Sequence, residues 1–155
     1  MKIGSDTYGK EVIEVLNVLG IAKLNGTTIS KSLTITGNLA ANSAHIYRLQ
    51  AEGNIKLDDT IVEDEAHITG ALQANHSEFQ GPIVFSGQKA LFSKCKLSKI
   101  TIQRDAAFKA KQVIELKSTI VEGPIVFEGG GGTVLLYPES KVTGSVTGGK
   151  ITYKR

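Results

Sequence analysis

The sequence predicts an all-β chain wound as a single-stranded parallel β-solenoid with about 17 residues in each turn. The segments 21–37, 38–53, 54–70 and 71–87 are 17, 16, 17 and 17 residues long, and each ends in glycine. Apolar residues recur in them at a spacing of two, the period of a strand, and no window keeps the i, i+3, i+4, i+7 stripe of a helix. One such turn cannot bury its apolar side alone, but a stack of turns can.

Five positions of the turn are predicted to face the core, because they are apolar in most turns. The fourth position holds Leu24, Ala41, Leu57, Ala74, Leu91 and Leu116. The fifth position is polar instead and holds Asn25, Asn42, Asp58 and Asn75. Asn and Asp accept the left-handed backbone conformation, so this row is predicted to form a sharp corner whose side chains hydrogen-bond along the axis.

One solenoid domain is expected over residues 12–153, after an N-terminal lead-in at residues 1–11. The period weakens in segment 88–105, and "AAFKAKQ" interrupts it before it resumes at residue 113. We therefore predict an insertion at 106–112. With a strand spacing of roughly 4.8 Å, about eight stacked turns would make a rod near 35–40 Å long.

Composition excludes several classes of protein. Hydrophobic residues make up 41% of the 155 residues, so the chain can bury a core. Its one cysteine, Cys95, excludes an intramolecular disulfide framework. No apolar run approaches the roughly 18 residues of a bilayer span, and no signal peptide is visible at the N-terminus. A cytoplasmic location, with or without membrane association, is expected, while export stays open if the N-terminus was trimmed.

Charge is distributed unevenly along the chain. Residues 50–80 contain seven acids and one base, whereas residues 88–117 contain eight bases and two acids. The basic stretch is read as a solvated face, as the complement of an acidic face on another subunit, or as a site for an anionic membrane surface or other polyanion. Its aromatics are only Phe92 and Phe108, so no specific nucleic-acid partner is expected. The glycines at 129–132 lack the following Lys-Ser/Thr of a nucleotide-binding loop.

No catalytic, metal or cofactor-binding residue is predicted. His45, His67 and His76 fall at positions 8, 14 and 6 of different turns, so they are expected to lie apart on the surface. Cys95, between Lys94 and Lys96, is interpreted as a structural thiol. The acidic run "DDTIVEDE" at 58–65 is interrupted by apolar residues and is interpreted as a solvated turn rather than a calcium site. A non-enzymatic protein is therefore favoured.

Both ends of the predicted rod expose apolar residues and unpaired strand edges, and no amphipathic helix is visible to cap them. Such ends favour stacking of one rod on another, so the expected partner is a further copy of the chain. The residues predicted to mediate self-assembly are Ile13, Val15, Leu16, Val18, Val142, Val146, Ile151 and Tyr153.

The phrases "ITGNLAANSAHI" (35–46), "LQAEGNIKLDDTIV" (49–62), "ITGALQANHSEF" (68–79) and "VTGSVTGGKIT" (143–152) resemble the rungs of bactofilins, the polymer-forming cytoskeletal proteins of bacteria. The resemblance implies a right-handed triangular β-helix that polymerises without nucleotide and serves as a scaffold near the membrane or with a cell-envelope partner. Two alternatives stay open: a solenoid that binds a small ligand or a surface, and an enzyme of the hexapeptide-repeat acyltransferase or carbonic anhydrase type.

Overall fold

The structure, a computed structural model, describes residues 2–103 and 112–154, and every regular element among them is a β-strand. All the pairings between these strands are parallel, and residues about one turn apart lie side by side. The chain is therefore a parallel β-solenoid of about eight turns with roughly 17 residues in each, which confirms the predicted fold class. The handedness of the coil stays a prediction.

Eighteen strands belong to one continuous sheet in the described residues. The strands are β1 (Lys2–Tyr8), β2 (Val12–Asn25), β3 (Thr28–Asn42), β4 (His45–Asp58), β5 (Ile61–Val62), β6 (Ala66–Asn75), β7 (Glu78–Phe79), β8 (Ile83–Ser86), β9 (Lys89–Ser93), β10 (Lys96–Leu97), β11 (Ile100–Gln103), β12 (Val113–Lys117), β13 (Ile120–Val121), β14 (Ile125–Phe127), β15 (Gly132–Leu136), β16 (Lys141–Val142), β17 (Val146–Thr147) and β18 (Gly149–Tyr153).

We call each turn of the solenoid a rung. Each rung contributes one strand segment to each of three parallel ladders of strands, and we call these ladders sides 1, 2 and 3. Side 1 contains β1, the last residues of β2, β3, β4 and β6, and then β9, β12, β15 and β18. Side 2 contains the first residues of β2, β3 and β4, followed by β5, β7, β10, β13 and β16. Side 3 contains the middle of β2, β3 and β4, the start of β6, and β8, β11, β14 and β17.

Stacked glycines form the corner between sides 3 and 1. Gly20, Gly37, Gly53 and Gly70 are in register and have φ angles between +119° and +134°. A Cβ atom on Gly37 would lie 1.9 Å from the carbonyl oxygen of Gly20, closer than any non-bonded atoms approach. The recurring glycine therefore allows both the backbone conformation and the close stacking that let β2, β3 and β4 continue through this corner.

The corner between sides 1 and 2 differs from the prediction by one residue. The predicted row does stack, and Asn75 Nδ2 donates a hydrogen bond to Asp58 Oδ1 at 3.1 Å. The left-handed conformation, however, belongs to the next residue in each turn. The residues with φ between 48° and 54° are Ser43, Asp59, His76, Lys94 and Ser118. The Asn row thus bridges neighbouring rungs along the axis, and the following residue makes the turn.

A row of small inward side chains follows this corner, and the hydropathy pattern did not reveal it. The row holds Thr27, Ala44, Thr60, Ser77, Cys95, Thr119 and Ser140. Thr60 Oγ1 and Ser77 Oγ each donate to the carbonyl oxygen two residues earlier at 3.0 Å. The hydroxyls therefore satisfy carbonyl groups that the sharp turn directs into the core, where an unpaired acceptor would be costly.

Segment 88–105 carries one extra residue at the glycine corner. Ala66 pairs with Ile83, 17 positions later, but Leu72 pairs with Ala90, 18 positions later. This shift makes Phe92, not Leu91, the inward residue of the rung: Phe92 is completely buried and Leu91 is half-buried on the outer surface. The prediction that placed Leu91 in the core row was therefore wrong by one position.

The described residues of the lead-in and of the predicted insertion contact neighbouring rungs. The lead-in at residues 1–11 contains β1, which pairs with Val18–Leu24 of β2 and adds part of a rung. Of the predicted insertion at 106–112, only Gln112 lies within the described residues. Gln112 Nε2 donates to the carbonyl oxygens of Gly87 and Gln103, at 2.9 and 2.8 Å. This buried amide therefore ties β12 back to the end of β11.

Candidate assembly surfaces

The C-terminal end of the rod presents three strand edges. β16, β17 and β18 pair with β13, β14 and β15 along one edge, and no strand in the described parts of the chain pairs with the other. The predicted contact residues Val142, Val146 and Ile151 are half-buried and pack on the core, whereas Tyr153 is 73% exposed. This end therefore combines open backbone groups with accessible apolar side chains.

The N-terminal end is arranged differently from the prediction. β1 pairs with the second half of β2, while the first half of β2 pairs only with β3 in the described residues. Val15 is 51% exposed and Ile13 is partly buried, but Leu16 and Val18 are only 6% and 3% exposed. Leu16 and Val18 face the core, so of the four predicted residues Val15 is the one most available to a partner.

Most of the strongly exposed apolar residues lie on the first rungs of the rod. They are Ile3, Val12, Val15, Leu19 and Ile21, against Tyr47, Ile120 and Tyr153 on the remaining described surface. Ile3 and Leu19 are in register and both point outward. An exposed apolar cluster of this kind marks a contact surface more often than scattered apolar residues do.

The histidines do not converge on one site. His45 lies on side 2, where its Nε2 is paired with a carboxylate oxygen of Glu63. His67 lies on side 3, and His76 forms part of the corner between sides 1 and 2. Across residues 2–103 and 112–154, no group of three or more His, Cys, Asp or Glu side chains is placed to hold a metal ion.

Cys95 occupies the small-residue row and acts there as a hydroxyl side chain would. Its Sγ lies 3.3 Å from the carbonyl oxygens of Ser93 and Ala74, and its backbone N–H donates to Thr119 Oγ1 at 3.3 Å. The thiol is buried, and this desolvation raises the pKa of Cys95 above its ordinary value of 9.0. The neighbouring lysines do not reverse the effect, so this thiol is structural.

We expect the folded protein to react slowly with a thiol reagent at pH 8, and to react fast once urea unfolds it. Because the pKa of Cys95 is raised in the folded state, the native protein holds the thiol proton more tightly than the unfolded chain does. Stability should therefore fall as pH rises through about 9 and above. Urea unfolding at a series of pH values should show this loss of stability at high pH in the wild type and not in Cys95→Ser. Equal pH profiles, or fast labelling of the folded protein, would contradict the assignment.

The described charged residues of the two charge-rich segments are distributed around the rod. Of the described lysines, Lys89 lies on side 1 and Lys96 on side 2, where they pair with Glu115 and Glu122 at 3.5 and 3.3 Å. In the acidic run, Asp64 pairs with Arg48 at 2.7 Å. The described charges therefore form an acidic band and a basic band on consecutive rungs, because they occur on more than one side of the rod.

An open groove of about 530 Å³ runs along side 1 next to the glycine corner. Its lining includes Asn54, Ala71, Gln73, Lys56 and Lys89. Asn54 Nδ2 donates to Asn38 Oδ1 at 3.2 Å, so part of its polar surface is already paired. The small-ligand alternative would rest on this groove.

Among the described residues there is no helix with the length and apolar character that a bilayer span requires. No family model, no curated protein and no solved structure matches the chain.

Proposed function

We propose that this chain is a non-catalytic structural protein that assembles by stacking its solenoid ends, without nucleotide or cofactor, in the manner that its resemblance to bactofilins implies. One observation carries the proposal. In the described residues both rod ends present open strand edges together with exposed apolar side chains, and neither end is covered by a helix.

Open edges and apolar cross-sections act together. Each unpaired edge offers a row of N–H and C=O groups that another strand can satisfy, and this is the geometry of strand addition. Burial of Val15 and its neighbours at one end, and of Tyr153 at the other, adds apolar area at about 25 cal/mol per Å². When such a contact joins two different surfaces it does not close on itself, so copies add one after another into a filament.

The test is negative-stain electron microscopy over a concentration series, paired with sedimentation. We expect filaments without nucleotide for the wild type. Val15→Lys and Tyr153→Lys should abolish them and leave the far-UV circular dichroism unchanged, because both side chains are exposed. Val18→Lys is unsuitable, since it would place a charge in the core. Tyr47→Lys, at a 42% exposed tyrosine away from both ends, is the matched control and should still form filaments.

Other outcomes would point elsewhere. A discrete monomer at every concentration, or filaments that persist in both end variants, would overturn end stacking. A closed trimer would instead favour the hexapeptide-repeat alternative and return attention to His45, His67 and His76.

A further inference from the structure

We propose that side 2 binds side 2 of another copy of this chain, with the two rods antiparallel, and that this lateral contact is separate from end stacking. The occupant is a second copy because four outward residues at the centre of this side are complementary to themselves in reverse order. The contact centres on the boundary between β7 and β10.

The central row runs through four consecutive rungs. Ile61 pairs in register with Glu78, Glu78 with Lys96, and Lys96 with Ile120. The row therefore reads apolar, acidic, basic, apolar along the rod. Lys96 is exposed and Ile120 is 45% exposed, while Ile61 and Glu78 are half-buried and point outward beside inward-facing core residues.

A two-fold axis parallel to the strands and passing between the rungs of Glu78 and Lys96 reverses this order in the partner. Ile61 then faces the partner's Ile120, and Glu78 faces the partner's Lys96. Both contacts occur twice, as in any isologous interface. The parallel arrangement would instead put Glu78 against Glu78 and Lys96 against Lys96, which costs free energy. The row thus selects the antiparallel pairing.

The corner row beside it is not charge-complementary. Asp59, His76, Lys94 and Ser118 make the turn into side 2 on the same four rungs and line the same surface. Reversal puts Asp59 against the partner's Ser118 and His76 against the partner's Lys94, so the charge complementarity rests on the central row. On the other flank Glu63 would approach the partner's Glu122. In its own chain Glu63 is hydrogen-bonded to His45, and Glu122 is ion-paired with Lys96 at 3.3 Å. A shallow hollow of about 420 Å³ lies on this surface, and its lining includes Ile61, Glu78 and Lys96.

The size of the patch decides the strength of the contact. Four rungs extend roughly 15–20 Å along the rod, and a stable protein interface buries about 800 Å² on each partner, which is more than this patch offers. A single contact is therefore weak and sensitive to salt. Where rods also stack end to end, many such contacts act together, and this last step rests on the proposed function.

The first experiment uses charge exchange and sedimentation velocity at high protein concentration. All measurements are made in the Val15→Lys background, so that end stacking does not contribute. Glu78→Lys and Lys96→Glu should each weaken lateral association by about tenfold or more, because symmetry doubles the repulsion. The double exchange Glu78→Lys/Lys96→Glu restores opposite charges across the axis and should recover the wild-type association. Glu52→Lys, an exposed acid on side 3, is the matched control and should change little.

The second experiment tests the orientation by crosslinking. Ile61→Cys and Ile120→Cys proteins, each also carrying Cys95→Ser because Cys95 lines the same hollow, are mixed and treated with a short bis-maleimide. The antiparallel contact gives crosslinks between the two variants and none within either variant alone. Self-crosslinking of Ile61→Cys, or no crosslinking in the mixture, would overturn the proposal. Filament formation by the parent protein tests end stacking separately, so either idea can fail without the other.

Discussion

Replacing Gly37 by alanine is expected to lower the free energy of unfolding by about 3 kcal/mol or more. Gly37 has a φ angle of +134°, and its added Cβ would meet the carbonyl oxygen of Gly20 at 1.9 Å. The obstacle is backbone rather than a flexible side chain, so relief requires the two rungs to separate and lose their pairing. Urea unfolding followed by far-UV circular dichroism measures the loss.

Two other glycines separate the two causes of this effect, which are the positive φ angle and the clash of the added Cβ with the neighbouring rung. Gly4 also has a positive φ, +114°, but an added Cβ would meet nothing within 4 Å, so Gly4→Ala should cost only the conformational strain, about 1–2 kcal/mol. Gly9 has neither constraint, and Gly9→Ala should be near neutral. If Gly37→Ala and Gly9→Ala unfold at the same urea concentration, the stacked corner does not limit stability.

Replacing Phe92 by alanine is expected to cost about 3–5 kcal/mol. Phe92 is completely buried and its ring packs edge-to-face against Phe79, with 6.0 Å between the ring centroids and 84° between the planes. Its removal leaves a cavity in the middle of the rod, where the rungs on either side are held by strand pairing and cannot close it. Equilibrium unfolding in urea checks the magnitude.

Leu91→Ala is the matched control, since it removes an apolar side chain one residue away. Leu91 is half-buried on the outer face of side 1, so its loss should cost about 1 kcal/mol or less. The simple 17-residue alignment would predict the opposite order of the two variants. A larger effect at Leu91 than at Phe92 would therefore show that the register of β9 is wrong.

The fold was predictable because the glycine corner and the inward rows depend on residue types that recur in the sequence itself. A glycine marks every turn of the N-terminal half, at Gly20, Gly37, Gly53 and Gly70. The apolar residues at alternate positions between these glycines predict which side chains face inward. These two signals suffice to predict a parallel solenoid. Turns of this length bury their apolar side only when equivalent residues of neighbouring turns stack on one another.

The sequence-based predictions were wrong where one corner contains an extra residue. They were incomplete where the residues of one inward row differ in polarity. A single extra residue before Ala90 exchanges the inward and outward positions, and hydropathy alone cannot separate Leu91 from Phe92. The row of Thr60, Ser77 and Cys95 shares size and hydrogen bonding rather than hydropathy, so an apolar pattern does not reveal it.

The candidate assembly residues were only partly predictable for a related reason. The presence of an apolar residue near a terminus does not predict whether its side chain points into the core or outward. Val15 and Val18 carry the same side chain, yet Val18 is buried and Val15 is not. Backbone edges, which the proposed stacking uses, leave no mark on residue type at all, because every residue carries the same N–H and C=O groups.

The similar separation of paired strand residues has a consequence for how the molecule forms. Every strand pairing in the described residues joins positions 16 to 25 apart, from Gly4 with Gly20 to Ile100 with Ile125. The entropy of closing each loop is therefore nearly the same at every rung, and no distant partner has to be found. One formed turn is a nucleus on which the next can grow in either direction, so the rod lengthens by whole turns and frays by whole turns from its ends.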